Sequence, residues 1–221
     1  MTSSGVGGDN QQQKLGASSF LRILYGSQRG TSEQAAKDFH TKIVDKTKDT
    51  TGRVDDGLVI CKPVELDDFL QEKKKDNDDP CWTGDDGRGE TWVIFVSSFG
   101  EGGPPSGAKE FRQQCEDWFY MFPVDQPYFD KPLDGVQFAL CGLGDSTFED
   151  THLRNPQKIC KGLLAGGATL IGGEMGTADA AAGKEEQQQA IKDWTDAIVP
   201  KLLEPFLIKA EDKECAPGFE V

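Results

Sequence analysis

Short apolar runs alternate with longer stretches in which apolar residues recur at helical spacing, and this alternation predicts the elements. Leu21, Ile23, Leu24 and Tyr25 suit one buried parallel strand, which Gly26 ends. Ser27, Gln28, Arg29 and Gly30 make a tight polar turn. Thr31 with Gln34 fits a capping box, and Ala35, Ala36, Phe39 and Ile43 share one face of the helix that follows. Residues 58–61 form a second strand. Residues 64–70 lead into a polar stretch, 71–90, whose lysine run, aspartates and glycines read as a surface insertion. The unbroken apolar run 92–96 predicts a central third strand. A helix carrying Ala108, Phe111, Cys115, Trp118 and Phe119 on one face comes next, then a connection with prolines and aromatics over 122–133. Residues 136–141 form a fourth strand, Ile159, Leu163 and Leu164 mark a helix, and 168–171 form a fifth strand. A glycine-rich loop over 172–183 precedes a last helix striped by Ile191, Trp194, Ile198 and Leu202.

Five strands alternating with helices predict an α/β fold: a doubly wound, five-stranded parallel sheet with helices on both faces. Ligands of such sheets sit beyond the carboxyl ends of the strands, where the strand order reverses. Here the loops after strands one, three, four and five are all rich in Gly, Ser or Thr, and all four fall at that edge. The first loop opens a helix, whose N-terminal N–H groups and partial positive charge suit a phosphate. The third and fourth loops each pair glycines with one aromatic, Phe99 and Phe148, which together suit the two faces of a flat ring. The strings Gly100-x-Gly102 and Gly142-x-Gly144 do not follow the first strand, so they do not support a dinucleotide fingerprint.

Composition narrows the partners. With 24 Lys and Arg against 38 Asp and Glu, the 221-residue chain carries a net charge of −14, which disfavours nucleic acid and anionic membranes and favours basic partners. No run reaches the length of a membrane span, and residues 1–19 lack a signal-peptide core and read as a disordered tail. The six cysteines are scattered without a CxxC pair, as reduced buried thiols are, which points to the cytoplasm. His40 and His152 fall in no ligand-spaced cluster, so no metal is expected. Asp145, Glu149 and Asp150 fit either paired acids or a solvated acidic rim.

Three stretches together are recognisable: Tyr25-Gly26-Ser27-Gln28-x-Gly30-Thr31, Ser98-Phe99-Gly100-Glu101-Gly102-x-Pro104 and Gly142-Leu143-Gly144-Asp145-Ser146-x-Phe148. They resemble the FMN-binding loops of the flavodoxin-like domain in diflavin reductases, a group that includes the NADPH–cytochrome reductases and methionine synthase reductase. The resemblance covers residues 20–206, leaving 207–221 as a tail or linker. It implies FMN as cofactor and a relay of electrons from an FAD- and NADPH-linked reductase to an acceptor protein; the acidic charge of the chain adds the expectation that these redox partners are basic-faced. It also implies that Ser27, Gln28, Arg29, Gly30, Thr31 and Ser32 wrap the phosphate. Ser97, Ser98, Phe99 and Gly100 would hold the ring and ribityl chain, as would Leu143, Gly144, Asp145, Ser146, Thr147, Phe148, Glu149 and His152. Asp179 would add another acid. Arg29 stands where the family has threonine, and Phe99 and Phe148 stand where tyrosine is common. Nothing in the chain matches an FAD- and NADPH-binding module. Two other readings stay open: a non-redox protein-binding module on the same fold, and the flavodoxin-like part of a radical tRNA-modifying enzyme.

Overall fold

A computed structural model describes residues 19–49, 58–75, 82, 90–122 and 130–206; of the tails expected at 1–19 and 207–221, all but Ser19, which opens the first strand instead, lie outside the described residues. The elements, in chain order, are β1 (Ser19–Gly26), α1 (Thr31–Asp49), β2 (Leu58–Ile60), β3 (Val64–Glu65), α2 (Leu66–Lys74) and β4 (Thr91–Ser97). They continue with α3 (Lys109–Met121), β5 (Gln137–Gly144), α4 (Arg154–Ala165), β6 (Thr169–Leu170), β7 (Gly176–Asp179) and α5 (Lys184–Leu203).

All strand pairs are parallel, and the sheet order is β2-β1-β4-β5-β6, with β3 also beside β1 and β7 also beside β5. Seven segments therefore fill five strand positions. β2 pairs with the start of β1 and β3 with its end, while β6 and β7 divide the length of β5 in the same way. The order reverses between β1 and β4, so their following loops part there and open a crevice.

β4 shows why the central strands are apolar throughout. Trp92, Ile94 and Val96 pack with Phe69, Phe111, Trp118 and Ile159, under α2, α3 and α4. Val93 and Phe95 face the other way, into a core with Phe39, Ile191 and Ile198 from α1 and α5. Both sheet faces are covered, so neither parity can be polar.

Some elements differ from the sequence-based expectation. Residues 71–74 of the expected polar insertion continue α2, and Trp82 is buried in an aromatic cluster, its ring centroid 5.1 Å from that of Trp118 and 6.1 Å from that of Trp92. A lone indole in a polar run leaves no periodic trace. Phe119 and Leu164 are exposed, each about 100° round its helix from a buried neighbour, Trp118 or Leu163. Within the expected loop 172–183, β7 forms without an apolar run, because its pairing with β5 comes from the backbone. Gly176 lies so close under Trp194 that an added Cβ would sit 2.3 Å from the indole.

At the amino-terminal edge of the sheet, Glu90 is almost fully buried. Its carboxylate accepts hydrogen bonds from Lys73 Nζ at 2.8 Å, Arg22 Nη2 at 3.2 Å and Trp92 Nε1 at 3.0 Å. The Arg22 guanidinium also lies 5.2 Å from the Phe20 ring centroid.

Candidate functional site

The crevice is built first by the turn after β1. Ser27 Oγ accepts a hydrogen bond from Gly30 N at 3.0 Å, which closes the turn. Gly30 takes φ +87° with open space where a Cβ would be, and Gln34 N donates to its carbonyl at 2.9 Å. Gly30 thus caps α1, and the expected Thr31–Gln34 capping box does not form. The helix starts at Thr31 itself, and Gln34 Nε2 turns along the helix to Asp38 at 2.8 Å. Ser32 is fully buried and its hydroxyl has no partner. A buried hydroxyl normally finds a partner, and this one borders the cleft described below.

The loop after β4 is folded on itself, with Phe99 N and O bonded to Gly103 O and N at 2.9 and 2.8 Å. Gly100, at φ +57°, makes this turn possible with no neighbour within 4 Å of its Cβ position. Ser98 N donates to Leu143 O at 3.0 Å and Gln28 Oε1 accepts from Ser106 N at 3.2 Å, so this loop is tied to both its neighbours.

The loop after β5 carries its own caps. Asp145 Oδ1 accepts from Thr147 N at 3.0 Å, and His152 Nδ1 donates to Glu149 O at 3.0 Å. Asp179 Oδ1 accepts from Ser146 N at 2.8 Å and Ala181 N at 3.0 Å. Hydrogen bonds from Ser146, and then from Ala181, hold the Asp179 carboxyl below the ordinary aspartate range.

These loops enclose a cleft of about 360 Å³, within the range of small-molecule sites. The phosphate-loop candidates Ser27, Gln28, Arg29, Thr31 and Ser32 line one part of it. Ser97, Ser98, Phe99 and Gly100 line another, and Leu143, Gly144, Asp145, Phe148 and His152 a third. Phe99 and Phe148 present rings that are 45% and 60% exposed. Gly30, Ser146, Thr147, Glu149 and Asp179 are not among the walls. Glu149 supplies the carbonyl that holds His152, while Asp179 braces the loop from behind.

Sequence reasoning missed three residues here. Ala180 and Gln187 line the cleft, beside Thr151 of the expected 143–152 stretch. Asn155 is fully buried: its Nδ2 donates to Ser97 O at 2.8 Å and its backbone N to Ser98 Oγ at 3.2 Å, fastening the β4 loop to α4. The available signal was an asparagine before Pro156 in a helical first turn, where a polar side chain can reach outside the helix. Among the described residues, no group of His, Cys, Asp and Glu is placed to hold a metal, and no helix is long and apolar enough to cross a membrane. Burial pushes the Cys141 thiol up to about 12 and that of Cys115 well above its ordinary value, so both are poor nucleophiles.

Comparison with known proteins agrees with this geometry. The chain is 29% identical over 198 residues to the NADPH–cytochrome P450 reductase of Saccharomyces cerevisiae, covering 90% of this chain and 24% of that protein. It is 30% identical over 199 residues to a bifunctional cytochrome P450/NADPH–P450 reductase of Bacillus cereus, covering 89% of this chain and 15% of that protein. The chain thus spans a quarter or less of the length of these relatives. Among solved structures, a flavodoxin variant from Pseudomonas aeruginosa superposes with a TM-score of 0.53 at 17% identity, over 84% of this chain and 99% of that one. A flavodoxin variant from Fusobacterium nucleatum bound to flavin mononucleotide gives 0.50 at 13% identity, over 85% and 98%. The model of the family described as Flavodoxin matches residues 60–194, more than half of the chain, and with the 2-1-3-4-5 arrangement of its five strand positions the chain belongs to the flavodoxin family.

Proposed function

We propose that this chain is an FMN-binding electron-transfer domain. One observation carries the reading: three loops at a single sheet edge form a cleft with a buried, unpartnered hydroxyl, Ser32 Oγ, at a helix N-terminus and two exposed aromatic rings at its other walls. The residues fit the group. Ser27, Thr31 and Ser32, with the first N–H groups of α1, would hold the phosphate, and Arg29 would add a positive charge. Phe99 and Phe148 would cover the ring, while Gly100 leaves the backbone beside it free to approach closely. When bound, the flavin supplies the redox chemistry; the chain's residues position it, limit water around the ring and present its edge.

The relatives are P450 reductases and P450–reductase fusions, which supports an FAD- and NADPH-linked donor and a haem-protein acceptor. Glu149 and Asp150 are exposed beside Phe148, so a basic-faced partner would be steered to the ring edge. Free thiols at Cys61, Cys115, Cys141 and Cys160 fit the reducing cytoplasm.

Reconstitution with FMN followed by desalting should leave one flavin per chain with a visible absorption band, and reduction by a diflavin-type reductase module should slow as salt rises. A colourless protein with no FMN-dependent rise in Tm would overturn the proposal. Phe99→Ala and Phe148→Ala should each weaken FMN binding by about 1–3 kcal/mol through lost stacking and apolar contact. Fluorescence titration checks this; an unchanged Kd in both variants places the ring elsewhere.

A further inference from the structure

A second concavity lies beside the first. It runs between α1 and α5, has a volume of about 660 Å³, and shares Arg29, Thr31 and Gln187 with the phosphate end of the flavin cleft. Its floor is apolar (Ala35, Phe39, Ile191) and its rims carry the amides of Gln34 and Gln188. Its charge opposes that of the chain. The walls include Arg29, Lys42, Lys184 and Lys192 against one carboxylate, Asp38, in a protein of net charge −14. Asp196, just outside, is shared by Lys42 and Lys192, so one carboxylate serves two ammonium groups and a net positive charge remains. The Lys42–Asp196 pair ties the two helices together at one point.

We propose that the α1–α5 groove is a second ligand site that takes a pyrophosphate-bearing nucleotide. Cations at the rim suit the phosphates, the Gln188 amide suits the polar edge of a base, and the apolar floor suits its face. The open junction at Arg29 admits two sources: a free nucleoside diphosphate beside FMN, or the adenylate arm of a flavin dinucleotide whose flavin half fills the cleft. The second source rests on the flavin reading; the first does not.

The test uses ADP as probe, titrated into the protein with and without saturating FMN, beside parallel titrations of the flavin-free protein with FMN and FAD. Saturable ADP binding at one site per chain is expected, weakened at least tenfold by Lys184→Glu, with FMN affinity unchanged. Lys184 is exposed and leaves the Lys42–Asp196–Lys192 trio intact, so this variant should fold, and an unchanged Tm would show that it does. Lys184→Glu with Lys192→Glu should deepen the loss. If the dinucleotide is the source, FAD binds at least as tightly as FMN, and Lys184→Glu weakens FAD but not FMN; if the free nucleotide is, ADP binds the FMN-loaded protein and FAD gains nothing. No saturable ADP binding, together with an FAD-to-FMN affinity ratio that Lys184→Glu leaves unchanged, would overturn the proposal. A protein that binds ADP but no flavin would refute the flavin reading and leave the groove standing.

Discussion

A Gly144→Ala variant should lose flavin affinity by roughly a hundredfold, about 3 kcal/mol, while the sheet still forms. The reason is steric. A Cβ at Gly144 would lie 2.0 Å from the His152 carbonyl oxygen and 2.7 Å from its carbon, and backbone cannot swing aside as a side-chain tip can. Residues 145–152 must therefore move as a unit. That unit carries Phe148 and His152, and Arg154 next to it donates to Glu101 O at 3.3 Å, so the β4 loop is drawn along. Gly144 O also accepts from Ala180 N at 2.7 Å, at the end of β7. A useful control is Gly103→Ala, where the added methyl meets only Phe99 O at 3.6 Å and the backbone is not left-handed; its affinity should stay within about threefold. Fluorescence titration of both variants decides the matter. Equal affinities would show that the 145–152 loop is not part of the flavin site.

Glu90→Ala should cost about 3–5 kcal/mol of stability, lowering Tm by roughly 10 °C, yet leave flavin affinity unchanged. Removing this carboxylate strands the charge of Lys73, whose side chain is 12% exposed, leaves Arg22 only the exposed Glu72 carboxylate at 3.4 Å, and leaves Trp92 Nε1–H without an acceptor. A buried charge without its partner is costlier than no charge at all. The triple variant Glu90→Leu, Arg22→Met, Lys73→Met should therefore recover most of the loss. Arg22 lies early in β1 and Glu90 just before β4, at the sheet edge opposite the cleft, which separates this effect from binding. Thermal melting of the single and triple variants, with FMN titration of each, tests the argument. A single variant that melts like the parent would show that solvent reaches the cluster.

The parts of this fold legible in the sequence are those where side-chain pattern and structure share one cause. β1, β4 and β5 read as apolar runs because helices cover both faces, and their following loops meet because parallel strands end on the same edge. What escaped depended on partners distant in sequence. β7 is specified by pairing with β5 and by the close seat of Gly176 under Trp194, neither of which leaves a local pattern. Trp82 is held by Phe69, Trp92 and Trp118. In the cleft, glycines, hydroxyls and the two aromatics marked the loops, whereas Asn155 acts across 57 and 58 residues of chain and Gln187 arrives from α5. The Thr31–Gln34 pattern misled because a side-chain motif and a glycine at φ +87° compete for the same helix start, and the turn closed by Ser27 favours the glycine.

The division of both outer strands has a consequence for solubility. An exposed edge strand is a template on which another chain can add, and long flat edges are where sheets aggregate. Here one border is a three-residue segment, then Cys61, Lys62 and Pro63, then a two-residue segment. The other is a two-residue and a four-residue segment with Gly172 and Gly173 between them, both at positive φ. Neither border offers a stranger an uninterrupted ladder of N–H and C=O groups, and Pro63 has no N–H to offer. The interruptions that hide these strands from a periodicity reading also deny a second copy of the sheet a continuous edge to pair with.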